Sequence, residues 1–171
     1  LGGEVHIQST QQKGTCVTLY LPAAPHLTAQ DTPLNDRQNL TGVKGRILVM
    51  DDEELIREAT SALLDYLGYA YEMASDGAEA VERYRVALQI NQPFDVVILD
   101  LTVHSGMGGQ QALEELRALN PHVKAIVSSG YFHDPVVANY QSYGFNEVVS
   151  KPYTIEAMGE TLHRLIQLDD T

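Results

Sequence analysis

Three carboxylates, a hydroxyl and an amine stand at the ends of apolar runs in this chain, a set that could handle phosphate and a hard cation. Ile47-Leu48-Val49-Met50 runs into Asp51-Asp52, and Phe94 to Leu99 ends at Asp100. Ala125-Ile126-Val127 ends at Ser128-Ser129, and Val148-Val149-Ser150 ends at Lys151-Pro152. Asp51 and Asp52 could cap a following helix, since Asp there satisfies free N–H groups and complements the helix dipole. They could equally hold Mg²⁺, which prefers one or two carboxylates, retained waters and a phosphate. Asp100 closes the most hydrophobic run, so its charge needs a partner or a metal. As a nucleophile it would take a phosphoryl group and form an acyl phosphate, with a cation and a lysine spreading the charge on the equatorial oxygens. Ser128 reads either as a turn serine or as a hydroxyl donating to a phosphoryl oxygen. Lys151 reads as a solvated cation or as the phosphate's counter-charge, and an X-Pro bond in the cis form would fix its direction.

Bringing these residues together requires a parallel sheet. Short apolar runs bounded by turn signals, with helical patterns between them, read as buried parallel strands. The carboxyl ends of such strands line one crevice of an open α/β sheet. Ile56, Ala59, Leu63 and Leu67 mark one face of a first helix that stops at Gly68, with Glu53-Glu54 as its first-turn acids. Ala80, Val81, Tyr84 and Leu88 mark a second helix, and Leu113, Leu116 and Leu119 a third, ended by Asn120-Pro121. Val136, Val137 and Tyr140 suggest a short fourth, and Ile155, Met158, Leu162 and Ile166 a fifth. With Tyr69 to Met73 as the second strand, right-handed crossovers predict a flavodoxin-like, doubly wound sheet of five parallel strands in the order 2-1-3-4-5, with five helices.

The chain has 171 residues, 44% hydrophobic and 20% charged, which are globular values. From Arg46 onward 20 acidic residues face 8 basic ones, which accounts for the whole formal charge of −12. Such a domain is a poor partner for nucleic acid or an anionic membrane; basic protein surfaces and a cation are expected instead. Cys16 is the only cysteine, so no internal disulfide forms, and a reducing, cytoplasmic setting is expected. No stretch is apolar enough to span a bilayer and no signal peptide opens the chain. The expected organisation is a β-hairpin over residues 1–22, a Pro-, Thr-, Asn- and Gln-rich linker over 23–45, and a domain over 46–171. The hairpin, Val5-His6-Ile7 and Cys16 to Leu21 around Gln11-Gln12-Lys13-Gly14, would be marginal alone in water.

Arg46 to about Leu168 resembles the receiver domain of two-component response regulators. By that likeness Asp51 and Asp52 bind Mg²⁺ (or Mn²⁺), Asp100 is the phosphoacceptor and a metal ligand, and Thr102 lends its backbone carbonyl to the metal. Ser128 would be the switch hydroxyl and Lys151 the phosphate-pairing lysine before a cis proline. The loop Asp100-Leu-Thr-Val-His-Ser-Gly-Met-Gly-Gly and Ser128-Ser-Gly-Tyr131 look most like receivers of bacterial hybrid sensor kinases. Gly2-Gly3-Glu4-Val5 through Gly14-Thr15 to Leu19-Tyr20-Leu21-Pro22 is similar to the last two strands of a histidine-kinase ATPase domain. The asparagine-bearing helix and glycine-rich lid of that domain are missing, so this stretch should neither bind ATP nor make its own phosphohistidine. The resemblance implies a phosphorelay in which the receiver catalyses its own phosphorylation and dephosphorylation. Its partners would be a phosphohistidine donor domain and a downstream phosphotransfer protein, beneath a membrane-anchored parent.

Two positions depart from the family pattern: Val148 stands where an aromatic often moves with the hydroxyl, and His104 where proline is common. Small Gly130, two past Ser128, predicts a short phosphoryl lifetime. The tyrosines 131, 140, 143 and 153 read as packing around the fourth and fifth helices or as a partner surface, and His104 and His133 as rim residues without a catalytic role. The alternative within the fold is a pseudo-receiver that binds protein without being phosphorylated. A haloacid-dehalogenase-type enzyme would want a second Asp where Thr102 stands, and a flavodoxin would need a neutral phosphate cradle where the chain has Asp-Asp-Glu-Glu.

Overall fold

The computed structural model describes residues 3–10, 14–20, 44–104, 106–130 and 134–167. They fall into two compact units, Leu1–Asn39 and Leu40–Thr171. Most of the expected linker, with Tyr131 and His133, lies outside the described residues.

In the first unit, strands β1 (Glu4–Thr10) and β2 (Gly14–Tyr20) pair antiparallel. Val5 opposes Leu19 and Ile7 opposes Val17, so alternation puts four apolar side chains on one face. All four are more than half exposed.

The second unit alternates strand and helix: β3 (Arg46–Met50), α1 (Glu54–Leu67), β4 (Ala70–Ala74), α2 (Gly77–Gln89), β5 (Val96–Asp100), α3 (Gly109–Leu119), β6 (Ala125–Ser129), α4 (Pro135–Ala138), a 3-10 turn (Tyr140–Tyr143), β7 (Glu147–Ser150) and α5 (Ile155–Gln167). The strands are parallel in the order β4-β3-β5-β6-β7, the doubly wound arrangement expected from the sequence. A core lies on each face of the sheet. Leu48, Met50, Val97, Leu99, Ala125 and Val127 join α2 and α3 on one side, while Ile47, Val49, Val96, Ile98 and Ile126 join α1 and α5 on the other. Burying about 1.5–3 kcal/mol of apolar side chain per residue, these layers hold the strand ends in place.

Three helical faces differ from those read in the sequence, that of α3 in that Leu119 is exposed. In α1, Ala59 is exposed and the buried positions are Thr60 and Leu64. Thr60 can be buried because its hydroxyl donates to the Ile56 carbonyl at 2.7 Å, which removes the penalty on a polar side chain. In α5, Ile155 is exposed and Met158, Thr161, Leu162 and Leu165 are buried. The second strand begins one residue later than expected, at Ala70. The fourth helix shrinks to a single turn that passes into the 3-10 turn. Helix α1 ends as its glycine predicts: Gly68 adopts φ 81° and its N–H caps the last turn.

Helix α2 is capped at both its first turn and the residue before it. Asp76 accepts from the Glu79 N–H at 2.9 Å, and Glu79 accepts from the Ser75 N–H and hydroxyl at 2.7 and 2.8 Å. The Ser75 N–H bond first, then Arg83, draws the Glu79 carboxyl down to about 2 from an ordinary 4.5. A depressed folded value means that its contribution is present above the unfolded value and lost as pH falls through the folded one. Glu79→Gln should therefore lower stability at neutral pH by about 1 kcal/mol, kept small by water around the carboxylate. Urea titrations across the acid range should show the difference from wild type shrinking between pH 4.5 and about 2.

Candidate phosphoryl and metal site

Strand parity brings the chemistry to one place. Ile47, Val49 and Asp51 alternate along β3 and its exit, as do Val96, Ile98 and Asp100 on β5. Ile126 and Ser128 continue the pattern on β6, and Val149 and Lys151 on β7 and its exit. Residues two apart share a face, so all four polar ends leave the sheet on the side of α1 and α5. Asp100 and Ser128 are direct partners across β5 and β6.

Lys151 stands between the acids. Its Nζ lies 2.6 Å from Asp51 Oδ2 and 2.9 Å from Asp100 Oδ2, with all three side chains largely buried. The Lys151–Pro152 peptide is cis. Burial works against the lysine's charge, but the Asp51 and Asp100 carboxylates outweigh it and hold its pKa above the ordinary value. Burial pushes the Asp100 carboxyl up, and Lys151 offsets only part of that rise. Asp100 Oδ1 also accepts from the Thr102 N–H at 3.3 Å.

Asp51 and Asp52 do not provide the N-cap of α1. That position is Glu53, with no side-chain cap, while Asp51 Oδ1 accepts the Glu53 N–H at 3.0 Å within the turn. Asp52 is held by the β5–α3 loop: its Oδ2 accepts from the His104 N–H and lies against His104 Nδ1, both at 2.9 Å. These contacts keep the Asp52 carboxyl below the usual range, the backbone bond most of all.

One oxygen from each of Asp51, Asp52 and Asp100 lies within 4.8 Å of the other two. Among the described residues, Asp52 Oδ1 is buried without a hydrogen-bond partner, and Asp51 Oδ2 has only the Lys151 ammonium. Asp51 and Asp100 share one ammonium while Asp52 is held by His104, and the open lone pairs of the three carboxylates fit a hard divalent cation with oxygen ligands. The loop backbone is fitted to this edge: a Cβ on Gly109 would collide with the Asp100 carbonyl oxygen.

A family model, the response regulator receiver domain, matches residues 47–163. The chain belongs to the response regulator receiver family. Over 99% of its length it is 26% identical to the sensor kinase CckA of Brucella abortus, and over 98% it is 26% identical to the sensor protein TorS of Escherichia coli. It spans 18% of each of those proteins. The chemotaxis protein CheY4 of Vibrio cholerae is 26% identical, with a TM-score of 0.63 over 71% of this chain and 98% of that one. The second unit is thus a receiver domain of two-component signalling. No described helix is long and apolar enough to cross a membrane.

Two contacts in this receiver were not legible as site contacts in the sequence. His104, read as a rim residue without a role, is bonded twice to Asp52. Tyr153, grouped with the packing tyrosines, places its hydroxyl 2.5 Å from Ser128 Oγ. Periodicity says nothing about a residue two places past a strand-end lysine, so only its closeness to Lys151 could have marked it. Val148, at the position where aromatics are common, packs against the α2–α3 side core.

Burial pushes the Tyr153 phenol up to about 12 from an ordinary 10. The folded state therefore holds a proton that the unfolded chain has released, so this group's stabilisation is complete below pH 10 and is lost as pH rises towards about 12. Tyr153→Phe should flatten that alkaline loss while costing about 1 kcal/mol at neutral pH for the missing hydrogen bond. Thermal denaturation of both proteins across the alkaline range checks the two effects together.

Proposed function

We propose that Asp100 accepts a phosphoryl group from a phosphohistidine, with Mg²⁺ (or Mn²⁺) held by Asp51, Asp52, Asp100 and the Thr102 carbonyl. The observation that carries this reading is the gathering of three carboxylates at one edge of the sheet, with the buried Lys151 ammonium against two of them, Asp51 and Asp100. A carboxylate oxygen of Asp100 attacks phosphorus, the P–N bond to the donor imidazole breaks as the O–P bond forms, and the imidazole leaves with the electron pair. The bound cation would neutralise charge on the phosphoryl oxygens. Lys151, already against Asp100, exchanges a carboxylate contact for a phosphoryl oxygen. Ser128 gives up its contact with Tyr153 and donates to another. Water attacking the same phosphorus later restores the Asp100 carboxylate and releases inorganic phosphate.

The matches to two sensor kinases run through the hairpin as well as the receiver, which supports a place within a hybrid sensor histidine kinase. Residues 1–22 would then be the last two strands of its ATPase domain, residues 23–45 a linker and residues 46–171 the receiver. The exposed Val5, Ile7, Val17 and Leu19 face suits a hairpin that completes a larger sheet. The donor would be the phosphohistidine domain of its own or a cognate kinase, the acceptor a downstream phosphotransfer protein, and the setting the cytoplasm beneath a membrane-anchored parent.

Intact-protein mass after incubation with a small phosphodonor should rise by one phosphoryl increment, only with Mg²⁺ and not in Asp100→Asn. No increment in any condition would leave a pseudo-receiver as the better reading. Gly130 is exposed, and a Cβ there would meet nothing within 4 Å among the described residues. A larger side chain has room to shield the phosphoryl group, so Gly130→Glu should slow loss of the increment about tenfold, roughly 1.4 kcal/mol in barrier. Unchanged decay would show that water reaches phosphorus by another route.

A further inference from the structure

We infer that His104 is a positioning residue that aims Asp52 at the cation, an assignment that rests on the metal-binding reading above. Both donors available to His104 on this side go to one atom, Asp52 Oδ2, the backbone N–H at 2.9 Å and ring Nδ1 at 2.9 Å. An ionised carboxylate only accepts, so Nδ1 carries a hydrogen in this contact. The other oxygen, Oδ1, is buried and has no hydrogen-bond partner among the described residues. A carboxylate fastened through one oxygen while the other stays open is the arrangement of a metal ligand oriented by an outer partner.

The contact is not a by-product of packing. The His104 side chain is 79% exposed and belongs to neither core, whereas that of Asp52 is 17% exposed. An imidazole with that much access to water is free to choose other rotamers, and its seat on Asp52 is set by the two hydrogen bonds. Those bonds also tie the loop that carries Thr102 to the turn after β3, so one residue fixes both Asp52 and the approach of the loop. Proline at this position could make neither bond, so the clamp is a property of this chain's own loop.

Calorimetric titration of the full 171-residue chain with MgCl₂ tests the assignment. His104→Ala should weaken Mg²⁺ binding about tenfold, the lower range for loss of an outer-shell partner. His104→Asn, whose amide N–H can replace the ring donor, should recover affinity to within about threefold of wild type. All three proteins should melt at the same temperature in chelator, because the side chain is outside the cores. Affinity unchanged or tightened in His104→Ala would overturn the assignment, tightening meaning that His104 competes with the cation. His104→Asn as weak as His104→Ala would also overturn it. If wild type and Asp52→Asn bind Mg²⁺ alike, or neither binds it, the metal-binding reading itself fails and the assignment goes with it.

Discussion

Like charges crowd the carboxyl edge of the sheet, and Lys151 makes that crowding tolerable. Asp51 and Asp100 are almost wholly buried, where an unpaired carboxylate would be strongly disfavoured. One ammonium serves both, at 2.6 and 2.9 Å. The arrangement is compensated but not neutral: the remaining negative charge favours a cation, and the ammonium is already beside Asp100, the proposed phosphoacceptor. The two apolar layers supply the rigidity that keeps these groups from relaxing away from one another. Receiver chemistry therefore depends on an electrostatic conflict that the hydrophobic core prevents from dispersing.

The parts of this arrangement that were legible in the sequence are those governed by strand alternation. Asp100 could be placed because Phe94 to Leu99 is so apolar that its end must be the end of a buried strand, and Asp51, Ser128 and Lys151 followed by the same rule. The contacts that were not legible depend on how a loop folds back. His104 reaches Asp52 across the sheet edge, and Tyr153 reaches Ser128 after the chain has turned at Pro152. Neither has a periodic pattern to announce it. The face of α1 was misread for a related reason: Thr60 counts as polar in any pattern, yet its hydroxyl is satisfied inside its own helix and the side chain is buried.

The two units depend on different forces. The receiver closes its apolar surface on itself in two layers, whereas the hairpin satisfies its backbone and leaves Val5, Ile7, Val17 and Leu19 exposed. A hairpin with such a face has satisfied only the hydrogen-bonding half of what a stable sheet needs.

Because every strand alternates between the two layers, the four strand-end groups share a side only while each strand keeps its count of residues. Insertion or deletion of a single residue within Ile47–Met50, Val96–Leu99, Ala125–Val127 or Val148–Ser150 would turn that strand's polar end towards α2 and α3 and drive apolar side chains off their layer. Point substitutions can be graded in their effect; changes of length in these strands cannot. Length variation should therefore fall outside these four strands, and family members should align across them without gaps.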